Sequence, residues 1–190
     1  MKYCAALIIS AFISALQSSV CAAAQTPNVS IDVGREAAKD LDGAVAFEKL
    51  KSLVGDWQGQ WANGPIHRVN YRLTAGGSVL VETRQLSPTR ESMTIYYLDD
   101  NRLLATHYCP QGNQPRLQLD SIDAKGRMNF VFLDGTNLRV EGRSHQHSFP
   151  MRIIDTADFE RAEFYVDNLA TTLPENVPDL VKYERVAADR

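Results

Sequence analysis

This chain of 190 residues is poor in the features that announce common chemistries. It has three cysteines, and two of them, Cys4 and Cys21, lie in a leader-like N-terminal stretch. Cys109 then stands alone, so no internal disulfide is expected in an oxidising compartment. There is no basic cluster, and 20 Lys and Arg against 23 Asp and Glu give a formal net charge of −3. Nucleic-acid binders carry a positive stripe or patch, so that partner is set aside. No glycine-flanked serine nucleophile, phosphate loop or paired-carboxylate motif occurs, which leaves an enzymatic reading without a signature of its own. Beyond the leader no apolar run could span a bilayer, so no stable membrane insertion is expected after the leader is removed. No helical stretch long enough for a crossover separates the strand-like segments, which argues against parallel pairing.

The leader is the first positive feature. Lys2 is followed by an apolar run from Ala5 to Leu16, interrupted only by Ser10 and Ser14, and then by Cys21-Ala22-Ala23-Ala24. A basic start, a short apolar stretch and an Ala-x-Ala site describe a signal peptide over 1–24, cut after Ala24 or after Ala22. The barrel is therefore expected to be exported, periplasmic or secreted. Ser18-Ser19-Val20-Cys21 departs from a lipid-attachment site at Val20 and Ser18, so a soluble mature protein is expected. Residues 25–43, with Pro27, Asn28, Gly34 and mixed charges, read as a flexible linker. Phe47, Leu50, Leu53 and Val54 then recur at helical spacing, and Gly55 ends that short helix.

From Asp56 onward the period changes to two. Expected strands are 56–62, 66–74, 78–86, 92–99, 102–109, 115–122, 127–133, 138–147, 149–155, 159–167 and 179–186. Asn63-Gly64-Pro65, Ala75-Gly76-Gly77, Asp99-Asp100-Asn101, Lys125-Gly126 and Asp134-Gly135 punctuate them. Such spacing predicts an all-β protein, a single antiparallel barrel of about 8–11 strands over 44–187 behind a short N-terminal helix.

Gly55-Asp56-Trp57 resembles the Gly-x-Trp start of calycin-type barrels, the superfamily of lipocalins and fatty-acid-binding proteins. Thr106-His107-Tyr108-Cys109, then Asn113-Gln114-Pro115-Arg116, is similar to segments of a bacterial family of uncharacterised lipocalin-like proteins. That resemblance runs from about residue 47 to about residue 186 and takes in Phe130-x-Phe132-x-Asp134-x-Thr136-Asn137 and His145-x-His147. It departs where the family carries tryptophan after a late glutamate, since Phe164 follows Glu163. The resemblance implies a lipocalin-like barrel with Trp57 plugging its base against Arg185, and it implies no activity.

Several polar residues are candidates for a pocket. His107 and Cys109 share one strand face, with Tyr108 on the other. Arg116, at a strand start, could pair with the carboxylate of a ligand, with Tyr97, His107 and Asn113 orienting its head group. These residues, His107, Arg116, Tyr97, Asn113, Tyr108 and Cys109, form the expected ligand-binding set for a small apolar or amphipathic molecule. His145 and His147 stand at the spacing that lets two strand imidazoles hold one metal, with His67 or His107 as a third ligand. Their face also carries Arg139, Glu141 and Arg143, which reads as solvent-exposed, so no metal ligand set is assigned. Two alternatives remain: a haem or metal barrel, since Gly55-x-Trp57-x-Gly59 resembles the opening of nitrobindin-type haem barrels, and an enzyme using His107 as acid or base. No cofactor is specified.

Overall fold

The computed structural model describes residues 42–60, 64–138, 143–167 and 180–187. The expected signal peptide at 1–24 and the linker up to residue 41 lie outside them, as do the expected strand positions 61–62, 139–142 and 179.

Helix α1 spans Gly43–Lys51 and starts where Asp42 accepts hydrogen bonds from the Ala44 and Val45 amides. It buries Ala46, Phe47 and Leu50, and Leu53 continues that face after the helix ends, whereas Val54 is exposed. Gly43 begins the helix because its backbone meets the turn at Asn101: a Cβ there would lie 2.2 Å from the Asn101 carbonyl oxygen.

Eleven strands follow: β1 Gly55–Gln60, β2 Ile66–Thr74, β3 Val79–Ser87, β4 Arg90–Asp99, β5 Arg102–Tyr108, β6 Gln114–Ile122, β7 Met128–Thr136, β8 Ser144–Ile153, β9 Asp158–Arg161, β10 Phe164–Asp167 and β11 Val181–Arg185. β1 to β8 form an antiparallel meander, β11 joins β1 to β9, and β9 pairs with β8. Ten strands thereby close into a barrel, and β10 pairs with the first half of β8. Closure leaves none of those ten with a whole unpaired edge. Among the described residues no helix is long and apolar enough to cross a membrane.

Several expected boundaries differ: β4 starts earlier, at Arg90, the turn expected at Asp134-Gly135 lies inside β7, and two further differences share one cause. The segments 138–147 and 149–155 read as two strands, and Pro150 cannot donate to a ladder, yet β8 runs unbroken through it. The expected strand 159–167 is instead split at Ala162 and Glu163. The Pro150 carbonyl accepts from the Ala162 amide, so the missing N–H faces the same edge, at the point where β8 changes partner from β10 to β9. The proline orphans no ladder bond there because the neighbouring strand is itself broken.

α1 plugs one end of the barrel. Next to it Trp57 is fully buried, donates its indole N–H to the Leu53 carbonyl at 2.7 Å, and lies under the Arg185 guanidinium at 4.1 Å. Arg185 donates to the carbonyls of Ser52, Val54 and Thr156, tying the helix exit to the closing strand. Above this plug Tyr71, Leu80, Tyr96, Phe130, Phe149 and Phe159 fill the interior, with the Phe130 and Phe149 rings stacked at 4.5 Å. Each such side chain contributes about 1.5–3 kcal/mol by leaving water.

Candidate functional site

The half of the barrel away from α1 has a different interior. β3 and β9 both run away from the plugged end; β3 carries Leu80-x-Glu82-x-Arg84 inward, and β9 with the break that follows it carries Phe159-x-Arg161-x-Glu163. The order of charges is reversed between the two, so opposite signs meet at each level. Arg161 pairs with Glu82, and Arg84 Nη1 lies 2.9 Å from Glu163 Oε2. Arg161 Nη2 is also 3.0 Å from Glu163 Oε1. Glu82, Arg84 and Arg161 are at most 2 % exposed.

Neutral groups complete the cluster. Tyr96 and Tyr71 donate their hydroxyls to Glu82 Oε2 at 2.6 and 3.0 Å, and Gln146 donates to Glu163 Oε1 at 3.0 Å. The Arg161 guanidinium lies over the Phe149 ring at 4.3 Å. Burial opposes ionisation of both carboxylates, but the two guanidiniums overcome it: Glu82 is held below the usual range, and Glu163 at about 2. Some buried polar atoms remain without a hydrogen bond, namely Nε and Nη2 of both arginines and Oε1 of Gln146. The Arg161 Nη2 contact to Glu163 is therefore an ion pair without hydrogen-bond alignment.

His107 projects into the same region and is 2 % exposed. Its Nδ1 is 3.0 Å from the Thr94 hydroxyl, and its Nε2 is 3.5 Å from the Tyr165 hydroxyl. Burial pushes its pKa down to about 4, against the pull of Glu163, so the ring is neutral at pH 7. Cys109, next inward on that chain, is buried too, and burial pushes its thiol up. A thiol kept protonated is a poor nucleophile, which removes the basis for a Cys109–His107 thiolate pair.

The six residues expected to bind a ligand do not form one site. His107 is inside, with Cys109 beyond it at the strand end. Asn113 is fully buried but serves the turn, donating to the Ser144 carbonyl at 2.9 Å while its own carbonyl accepts from the Cys109 amide. Arg116, Tyr97 and Tyr108 belong to the outer wall. Arg116 forms a two-pronged pair with Asp134, Tyr97 reaches Thr106 at 3.2 Å, and Tyr108 is 41 % exposed. A shallow hollow of about 590 Å³ surrounds Arg116, and a groove of about 860 Å³ crosses the outside of β1, β2 and β3.

Glu82, Arg84, Arg161 and Glu163 were not legible as a site because charges on one strand face ordinarily mean water. The signal that marks them is the complementarity of Glu-x-Arg on one strand with Arg-x-Glu on another of the same direction.

His145 and His147 also depart from expectation. Arg143 is exposed, but His145 is only 9 % exposed and both imidazoles gather at Phe132, which stacks on His147 at 5.3 Å. Arg139 and Glu141 lie outside the described residues. Among the described residues, no three of His, Cys, Asp and Glu come together in a way that could hold a metal ion.

No family model and no curated protein matches this chain. Among solved structures it is similar to a protein of unknown function from the DUF3598 family of Nostoc punctiforme, at 14 % identity and a TM-score of 0.37. The similarity covers 72 % of this chain, which spans 48 % of the length of that one.

Proposed function

We propose that this protein is a binding barrel that receives a small amphipathic molecule in the polar half of its interior. The observation that carries this reading is the buried cluster of Glu82, Arg84, Arg161 and Glu163, with polar atoms left unbonded. Replacing such a cluster by apolar groups is often neutral or stabilising, so stability alone gives little reason for it. The half beside α1 shows what this barrel does where only packing is needed: it uses Phe, Tyr and Leu. Two carboxylates and two guanidiniums already cancel, so an added ion would be uncompensated. The head group that fits is neutral and hydrogen-bonding, able to accept from the arginines and to donate to Gln146 Oε1, with its apolar part toward Phe132. Read with the 1–24 leader, the site works in the periplasm or outside the cell.

The enzymatic and haem readings have less support. A histidine held at about 4 is far from neutral pH, where a general acid or base works best. The space a flat macrocycle would need is occupied by Tyr71, Tyr96, Phe130 and Phe149. Native mass spectrometry and solvent extraction of the exported full-length protein test the proposal. The expected result is a non-covalent adduct whose occupancy falls in His107→Phe and Gln146→Leu, with circular dichroism unchanged. A protein that emerges bare and takes up nothing from a panel of neutral amphiphiles refutes it.

A further inference from the structure

The ladder between β7 and β8 runs from Met128 opposite Met151 to Val131 opposite Ser148, and beyond Ser148 the β8 strand pairs with β10 on its other edge. Phe132, His145 and His147 stand where β7 and β8 part. His145 Nε2 and His147 Nδ1 face each other at 3.3 Å. A tetrahedral cation with Zn–N bonds of about 2.05 Å spans about 3.3 Å between two ligand nitrogens. The separation is therefore that of a chelate as well as that of a hydrogen bond. Phe132 fixes both rings, lying 4.9 Å from His145 and stacked within 16° on His147. His147 is partly exposed, which leaves a route for a hydrated ion.

We infer that His145 and His147 form a two-imidazole site for a borderline divalent transition cation such as Zn²⁺ or Cu²⁺. The argument rests on the two imidazoles, although the site shares Phe132 with the proposed amphiphile contact. Metal binding takes the place of the proton between the facing nitrogens, which moves to the other nitrogen of its own ring, so both imidazoles bind neutral and no net proton is released. Two protein ligands leave the other coordination positions to water or to a small donor molecule. The soft, compact pair of nitrogens selects against Mg²⁺ and Ca²⁺, which demand oxygen cages.

The test uses Cu²⁺ alone, the strongest binder of this series, added to the full-length protein. Electron paramagnetic resonance is expected to show one bound Cu²⁺ with hyperfine splitting from two imidazole nitrogens. His145→Gln and His147→Gln should each weaken binding by at least the ten- to hundred-fold that even an outer-shell partner is worth, and His67→Gln should leave it unchanged. Zn²⁺ titration of the unaltered protein, followed by NMR of the histidine rings, gives the same answer without a variant: the His145 and His147 signals shift together. Absence of stoichiometric binding, a spectrum with fewer than two imidazole nitrogens, or equal affinity in the glutamine variants overturns the assignment.

Discussion

Acid should destabilise this barrel through His107, and the size of the effect follows from its burial. The ring is enclosed by Thr94, Tyr165 and the charges of Glu163, Arg161, Glu82 and Arg84, and it holds a proton only below about 4. In the unfolded chain an imidazole titrates near 6.5. The unfolded state therefore binds more protons between these values, and stability falls as pH drops through that window. Its contribution is complete above 6.5 and gone at about 4. At about 1.4 kcal/mol per pH unit, the loss between pH 7.5 and 4.5 comes to about 2.5 kcal/mol. Glu163 and Glu82, also depressed, begin to add their own loss as pH nears the ordinary glutamate value of 4.5, and do so in wild type and variant alike. His67 and His147 are held down more weakly, mainly by burial, and contribute with the same sign in both the wild type and a His107 variant. Urea unfolding at the two pH values, for wild type and His107→Asn, isolates the difference. Wild type should lose about 2.5 kcal/mol more than the variant, whose amide can still meet Thr94. Parallel losses in the two proteins, or a His107 NMR titration near 6.5 in the folded state, would refute the reasoning.

Other perturbations have expected outcomes. Arg161→Met removes the nearer cation from buried Glu82, leaving Arg84 at 3.7 Å, and should cost about 3–5 kcal/mol in urea unfolding, most of it recovered by adding Glu82→Leu. Trp57→Ala empties the plugged end and should cost about 3–5 kcal/mol, read as a lower denaturation midpoint. Asp42→Ala removes the cap of α1 and should cost about 1 kcal/mol. Arg116→Ala breaks an exposed pair on the outer wall and should change stability by less than about 1 kcal/mol, with no effect on extracted ligand.

The fold was legible because punctuation and period agree along most of the chain. Asp99-Asp100-Asn101 and Lys125-Gly126 sit in observed turns, and the alternation of Val69 and Tyr71 with Asn70 and Arg72 gives the inward face of β2. Trp57 under Arg185 follows the resemblance. The break at Ala162 escaped, because a strand interruption that suits a proline on its neighbour is a tertiary fact with no local signal. The site escaped for a related reason. Period two puts Glu82 and Arg84 on the face of Leu80, but whether a charge there meets water or another charge depends on β9, about eighty residues away, crossing the interior at the same level. Arg116 stands one register position from inward Leu117 and so points outward, to the opposite side of the wall from His107.

The ring closes late in sequence terms. Trp57 is opposite Arg185, so the two strands that seal the cylinder are separated by almost the entire domain, and their pairing carries the largest loop-closure cost. At sealing, grease alone is an imperfect ruler, since a slip of two residues keeps every apolar side chain turned inward. Such a slip of β9 would bring Arg161 level with Arg84, cation against cation, or move both arginines away from their carboxylates. The alternating signs thus act as a vernier scale, rejecting the false alignments that packing would tolerate.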